Sequence, residues 1–381
     1  MLSLLRFSRL AFEVGPVRLA FSHLFLMGFA AMAAGLAVLL LLPRFFDRLP
    51  HDRGKALVAD GKSSAGKPTG AGLPVFLLTL PAVLLALPMR DASGPVFPCT
   101  PQWEIFGCLA LAMVTGYLDD RSSKEWGRLR KGLLDLAVAF LAAWALTQNG
   151  PMEIWLPVTK RVFTLSCPAY IAMATPLLWF TINATNCSDG VDGLAGTLTL
   201  ISLAGLAMFL YVVVGHRAVA DYLLLPHNPD GALWAILCLA FCGATAGYLW
   251  YNAWPSQVLM GDAGSRTLGL LVGVAALATG NPFLLLVIAP VVLVNGGTGL
   301  VKIVLLKALV RLGLDAGARP PAGAGAPRPC WLARTLRSVR FPLHDHVKTS
   351  LEWSNPQVLM RFTLVQAALM PLLLLLLVKI R

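Results

Sequence analysis

Four side chains bearing amide or carboxylate oxygens recur every third residue in "NATNCSDGVDGLAGT": Asn183, Asn186, Asp189 and Asp192. They follow directly on the apolar run "PLLWFTI". A helix N-cap uses one such residue, not four. Polar groups this close to hydrocarbon are costly unless they have partners or a task. Gly190 and Gly193, between and after them, allow tight backbone approach. Oxygen donors of this kind suit a hard cation and a nucleotide.

A second acidic site is Asp119-Asp120 in "GYLDDRSSKEWGRLRK", followed by a basic run that includes Lys124. Adjacent carboxylates suit a divalent cation with phosphates beside it. Taken alone, the pair also fits a solvated loop. A third is Asp262 in "LMGDAGSRTLG", where a Gly-rich turn feeds a helix. The free N–H groups and positive dipole end of such a helix attract an anion. Asp262 is therefore expected to hold Mg²⁺ while the turn holds phosphate; simple capping by Asp262 or Ser265 is the alternative. In "FPLHDHVKTSLEW", His344 and His346 flank Asp345 with no third His or Cys nearby. Contacts to phosphate or sugar suit them better than a transition metal. The basic, Gly-rich "GKSSAGKPTGAGLPV" (61–75) reads alone as a linker, and its spacing is not that of a Walker A loop.

The elements that must position these residues are apolar. The chain of 381 residues is 57% hydrophobic and 13% charged, against roughly 25% charged in soluble domains. Uncharged runs such as 30–43, 232–249 and 362–378 approach the ~20 residues that cross ~30 Å of hydrocarbon. The expected fold is all-α: a polytopic integral membrane protein of about ten helices. The spans fall near 22–43, 73–88, 102–118, 132–148, 168–182, 193–214, 232–250, 266–280, 282–306 and 360–378. They form one domain over 1–381, with an interfacial segment at 1–21 rather than a cleavable signal, and a long loop at 307–359. The stretch "GLDAGARPPAGAGAPRP" (313–329) reads as a flexible insertion in that loop. Seven single cysteines without a CxxC pair indicate neither a zinc site nor a disulfide framework. In so apolar a chain, the net charge of +12 points to anionic lipid or an anionic substrate, not to nucleic acid.

Lys and Arg set the orientation, because positive charge stays in the cytoplasm. The loops at 44–67, 121–131 and 311–348 are rich in both, whereas the opposite loops carry little beyond Arg90, Lys160, Arg161 and Arg217. All the clusters above then lie on the cytoplasmic face, with both termini outside. Arg6, Arg9, Arg18, Lys379 and Arg381 run against that placement of the termini. A transporter could also carry polar residues at span ends and a broken stretch such as "VNGGTGL" (294–300). Transporter acids sit near the bilayer midplane, however, and these gather at one face.

Together these segments resemble the polyprenyl-phosphate N-acetylhexosamine-1-phosphate transferase superfamily. The resemblance rests on Asp119-Asp120 and on Asn183 to Ala195. It also rests on Tyr251-Asn252-Ala253, on Gly261-Asp262 with Gly264-Ser265, and on the "GKPTGAG" run, with Thr69 at a substrate-contacting Thr. "PLHDH" and "VLMRF" (358–362) favour the branch that transfers a muramoyl-pentapeptide over its hexosamine-transferring relatives. The resemblance implies UDP-N-acetylmuramoyl-pentapeptide as donor, undecaprenyl phosphate as acceptor and Mg²⁺ as cofactor. It also implies a multi-pass protein of the bacterial inner membrane, and the sequence allows a homodimer. Asp262 would be the main Mg²⁺ ligand, and Asp119 and Asp120 would bind or deprotonate the lipid phosphate, Asp119 assisting with the metal. Asn183, Asn186, Asp189 and Asp192 would hold the nucleoside. Thr69, Lys124, His344 and His346 would touch the donor's phosphates or sugar. Three positions depart from the family pattern: Asp345 replaces the central His of a triple, Leu259 replaces a Phe that stacks on uracil, and Ser64 replaces a Lys. A UDP-N-acetylglucosamine or related UDP-hexosamine donor is the alternative.

Overall fold

Each apolar run expected to cross the bilayer is helical in the computed structural model, which describes residues 22–52, 64–88, 100–122, 126–148, 150–157, 159–312 and 330–377, with Leu19, Gly54 and Leu314. The helices are α1 (His23–Leu41, continued by a 3₁₀ turn to Arg48), α2 (Gly72–Ala86), α3 (Pro101–Arg121), α4 (Arg128–Leu146) and α5 (Cys167–Ser188). After them come α6 (Leu194–Met208), α7 (Arg217–Leu223), α8 (Gly231–Asn252), α9 (Gly261–Ala278) and α10 (Thr298–Arg311). The chain closes with α11 (Trp331–Ser338), α12 (Leu343–Ser350), α13 (Asn355–Leu369) and α14 (Leu372–Leu377). Among the described residues, four stretches are by themselves long and apolar enough to cross a membrane: His23–Arg48, Leu194–Val214, Gly231–Asn252 and Pro290–Arg311. Apart from Leu19, the 1–21 segment lies outside the described residues, as do Lys124 and nearly all of the 313–329 insertion.

The centre is α9. Every residue from Ala263 to Ala278 is buried, although the helix opens with Gly, Asp, Ser and Arg. Its small residues let neighbouring backbones come close, which is how helices associate where lipid removes the hydrophobic drive. A Cβ added to Gly116 of α3 would lie 2.5 Å from the Asp262 carbonyl oxygen, so only glycine permits this approach. The contact sets Asp119 and Asp120, one turn further along α3, against the first turn of α9. Beyond α9, α5 packs along α4, and α8 packs along α1.

Two features depart from a purely helical expectation. Residues 152–155 and 162–165 form an antiparallel hairpin, β1 and β2, pairing Met152 with Leu165 and Trp155 with Val162. Trp155 is fully buried and donates its indole N–H to the Thr279 carbonyl at 3.0 Å, pinning the hairpin to the far end of α9. The ninth span, expected to run unbroken over 282–306, is interrupted. Short helical turns at Leu285–Ile288 and Pro290–Val292 lead into a π-helical turn, Leu293–Gly297. Pro290 cannot donate a backbone hydrogen bond. The disrupted ladder is satisfied by neighbours: Gln366 of α13 accepts from Val291 N–H at 3.1 Å and donates to the Ile288 carbonyl, which also accepts from Ser202 at 3.0 Å. Broken helices persist in membrane proteins where neighbours supply such partners. The long loop expected at 307–359 is also partly helical, holding the end of α10 together with α11 and α12.

Candidate active site

At the start of α9, carboxylates and cations from three helices alternate. Asp262 accepts from Lys131 Nζ at 3.1 Å, from an Arg266 nitrogen at 2.7 Å and from the Asn186 amide at 2.9 Å. Lys131 also pairs with Asp119, whose other oxygen accepts from Trp126 N–H at 3.0 Å. Arg266 reaches Asp119 at 3.5 Å and, with its other terminal nitrogen, Asp135 at 3.2 Å. Thus Asp119 from α3 and Asp262 from α9 converge on one ammonium, although they stand 143 positions apart in the chain. Burial raises the Asp119 carboxyl above its ordinary range. Burial acts the same way on Asp262, but Arg266 and Lys131 outweigh it and hold that carboxyl below the range.

Asp120 does something different. Its two carboxylate oxygens accept from the backbone N–H groups of Asp262 at 2.9 Å and Ala263 at 3.0 Å. Two amides of the helix N-terminus expected to receive a substrate phosphate thus meet a carboxyl group of the protein's own chain. Burial pushes the Asp120 carboxyl up to about 7, against the pull of these two amides. The arrangement makes Asp120 a cap in trans that fixes the start of α9, and with it Asp262.

The Asn/Asp array does not face one way. Asn183 and Asn186 lie on α5, three residues apart and so on one side. Asn186 reaches Asp262 and Ser265, while Asn183 donates to the Trp179 carbonyl at 2.9 Å and hydrogen-bonds Asp135. Asp189 ends the helix as its C-cap. Beyond it the chain turns, and Asp192 accepts from Ser256 N–H at 3.1 Å with Lys67 Nζ 3.6 Å away. Lys67 donates to Ser256 Oγ at 2.9 Å and lies over the Trp254 ring. Asn252 ties the same corner, accepting from Gly193 N–H at 2.8 Å and donating to the Val258 carbonyl at 2.8 Å. Thr69 is held beside it: Leu259 N–H donates to the Pro68 carbonyl at 2.8 Å and Ala71 N–H to the Leu259 carbonyl at 3.1 Å.

The two histidines separate. His344 is buried, and a Cβ added to Gly190 would fall 2.3 Å from its Nε2, which places the imidazole on the Asn/Asp turn. The His344 N–H donates to Asn295 Oδ1 at 2.9 Å, and its Nδ1 lies 3.1 Å from the same oxygen. His346 instead faces its own segment: its Nδ1 accepts from Arg340 N–H at 3.4 Å and lies 3.3 Å from Ser350 Oγ. Lys131, Asp135, Arg266, Asn295 and Ser256 join the site without belonging to any motif that singles them out in the sequence. Asp135 and Arg266 do carry a signal, since each is the lone charge in its apolar run, 132–148 and 266–280.

Residues 103–280, from Trp103 of α3 to the end of α9, match the family described as glycosyl transferase family 4. The match takes in Asp119, the Asn/Asp array and Asp262, and stops before His344. Over 372 residues the chain is 41% identical to the phospho-N-acetylmuramoyl-pentapeptide-transferases of two strains of Treponema pallidum, one of them strain Nichols, covering 97% of this chain and 93% of each relative. The chain belongs to the phospho-N-acetylmuramoyl-pentapeptide-transferase family. Within that family frame, the donor atoms of the site fit a hard divalent cation. Asp119 and Asp262 supply carboxylate oxygens, and the Lys131 ammonium lies between them as a stand-in positive charge. Mg²⁺ is commonly held by one or two carboxylates together with substrate phosphates. Among the described residues no three His, Cys, Asp or Glu side chains form a cage.

Proposed function

We propose that the chain transfers phospho-N-acetylmuramoyl-pentapeptide from its UDP-linked donor to undecaprenyl phosphate, giving the first lipid-linked peptidoglycan precursor and UMP. The observation that carries this is the convergence of Asp119, Lys131, Asp262 and Arg266 at one end of an apolar helix bundle. Phosphoryl transfer asks a protein mainly for positioning and charge neutralisation. The near-full-length similarity to the Treponema enzymes supports the choice of donor.

An oxygen of the lipid phosphate attacks the phosphorus bonded to the sugar, and the bond from that phosphorus to UMP breaks. The attacking monoester is already dianionic near neutral pH, so no strong base is required. Asp262 and Asp119 would hold Mg²⁺, which neutralises charge on the donor diphosphate when bound. Lys131 adds a mobile cation at the same point. Asp120 fixes the α9 terminus that presents Asp262. Asn186 orients Asp262, and Asp192 with Lys67 forms the wall against which the nucleoside lies. His344 and Thr69 face the donor's phosphates and sugar. A water-soluble anionic donor and a lipid acceptor meet only at a membrane surface. The Lys/Arg bias supports ten spans with this site on the cytoplasmic side of the inner membrane.

The test is to incubate purified protein with undecaprenyl phosphate, Mg²⁺ and each UDP-sugar in turn, and to measure UMP. UMP release with UDP-N-acetylmuramoyl-pentapeptide is expected. Release with UDP-N-acetylglucosamine alone would overturn the donor assignment, and uptake into proteoliposomes without UMP would overturn the reaction itself.

A further inference from the structure

The cluster at α9 has a deeper layer that the transfer chemistry does not use. On α4, Lys131 and Asp135 stand four residues apart; on α9, Asp262 and Arg266 do the same. Four residues is one helical turn, so each helix stacks a cation and an anion on one side. Lys131 meets Asp262 in the upper layer and Asp135 meets Arg266 in the lower. The lower pair is sealed: the Arg266 side chain is 2% exposed and that of Asp135 5%. Buried ion pairs seldom add stability over apolar residues of the same shape, because desolvation offsets their attraction. A different use for the pair is called for.

Arg266 divides its two terminal nitrogens between opposite directions. NH1 goes to Asp135; NH2 goes to Asp262 and Asp119, the carboxylates assigned to the metal. The guanidinium is a rigid planar fork that prefers to engage one carboxylate with both nitrogens. With Asp135 absent, NH1 would be left buried beside no carboxylate, and the whole fork would be drawn onto Asp262 and Asp119. A cation held there competes with any metal for the same oxygens.

We propose that Asp135 is a positioning residue for the metal site: it anchors Arg266 from below, so that Arg266 meets Asp262 and Asp119 through one nitrogen only and a divalent cation can take the place of Lys131 between them. This rests on the assignment of Asp262 and Asp119 as the metal ligands made above. Arg266 then acts as a resident counter-ion that steadies the carboxylates, and Asp135 limits how tightly it grips them.

The experiment measures Mn²⁺ binding to the full-length detergent-solubilised protein by electron paramagnetic resonance, without substrates. Mn²⁺ replaces Mg²⁺ here as a spectroscopically visible hard cation. Asp135→Asn should weaken Mn²⁺ binding on the order of tenfold, and Asp135→Glu, which keeps the charge, should bind nearly as well as wild type. The double variant Asp135→Asn with Arg266→Met removes the competitor together with its anchor. It should return the affinity to the wild-type value or better, whereas a general packing defect would not be relieved by a second core substitution. Should Asp135→Asn fail to fold, the double variant still decides, since binding weaker than wild type there would overturn the proposal. Wild-type affinity in a folded Asp135→Asn would overturn this inference alone. No Mn²⁺ bound to wild type would overturn the metal assignment and the inference with it.

Discussion

The two halves of the site are built in different ways. The proposed phosphate side is carried by helices: Asp119 on α3, Lys131 on α4, Asn186 on α5, and Asp262 and Arg266 on α9, with charges matched across buried faces. The proposed nucleoside and sugar side is carried by turns and short segments: Asp192 after α5, Ser256 after α8, Lys67 before α2 and His344 on the short α12. Rigid elements suit groups that must meet a transferring phosphorus within a fraction of an ångström. Loops suit groups that select which molecule enters. Substitutions on the helical side should therefore reduce kcat, and those on the loop side should raise the donor KM.

The sharpest attempt to break this division is Asp262→Asn. Turnover should fall by about three orders of magnitude or more, with folding nearly unchanged. Near-wild-type UMP release by the purified variant with saturating Mg²⁺ would remove Asp262 from the metal site. Next comes Lys131→Met, which takes away the ammonium shared by Asp119 and Asp262. It is expected to lower kcat by about a hundredfold and to leave the donor KM within a few-fold. A rise in KM at constant kcat would move Lys131 to the binding side of the comparison.

Asp192→Asn tests the loop half. Loss of the charge facing Lys67 should raise the donor KM by about tenfold, with kcat and the lipid KM unchanged. Were kcat to fall instead, the turn would belong with the chemistry. The smallest effect is expected from Leu259→Phe, in the turn hydrogen-bonded beside Thr69. A ring there should stack on the uracil and lower the donor KM by about threefold. An unchanged KM would argue against any base contact at this position.

What can be read in the sequence follows the same division. The helices are legible because apolar runs of membrane-spanning length have few alternatives. Asp119, Asp262 and the Asn/Asp array stand out because they crowd polar atoms at the ends of such runs. Their partners do not. Lys131 is one basic residue among many in a cationic stretch, and only tertiary packing distinguishes it. The direction of each array member is hidden as well, since a helix ending at Ser188 sends Asn186 and Asp192 to different walls. Asp120 looks in the sequence like a twin of Asp119, yet adjacent helical residues point about 100° apart. One faces the cations and the other caps α9. The hairpin at 152–165 and the break at Pro290 depend on distant partners, Thr279 and Gln366, that no local pattern announces.

The stacked charges on α4 and α9 also set a register between the two helices. Sliding either helix by one turn would set Lys131 against Arg266, or Asp135 against Asp262, and burial would make that repulsion stronger than it is in water. Like charges would then meet in a largely buried layer, so the residues that hold the site together also disfavour a one-turn slip between α4 and α9.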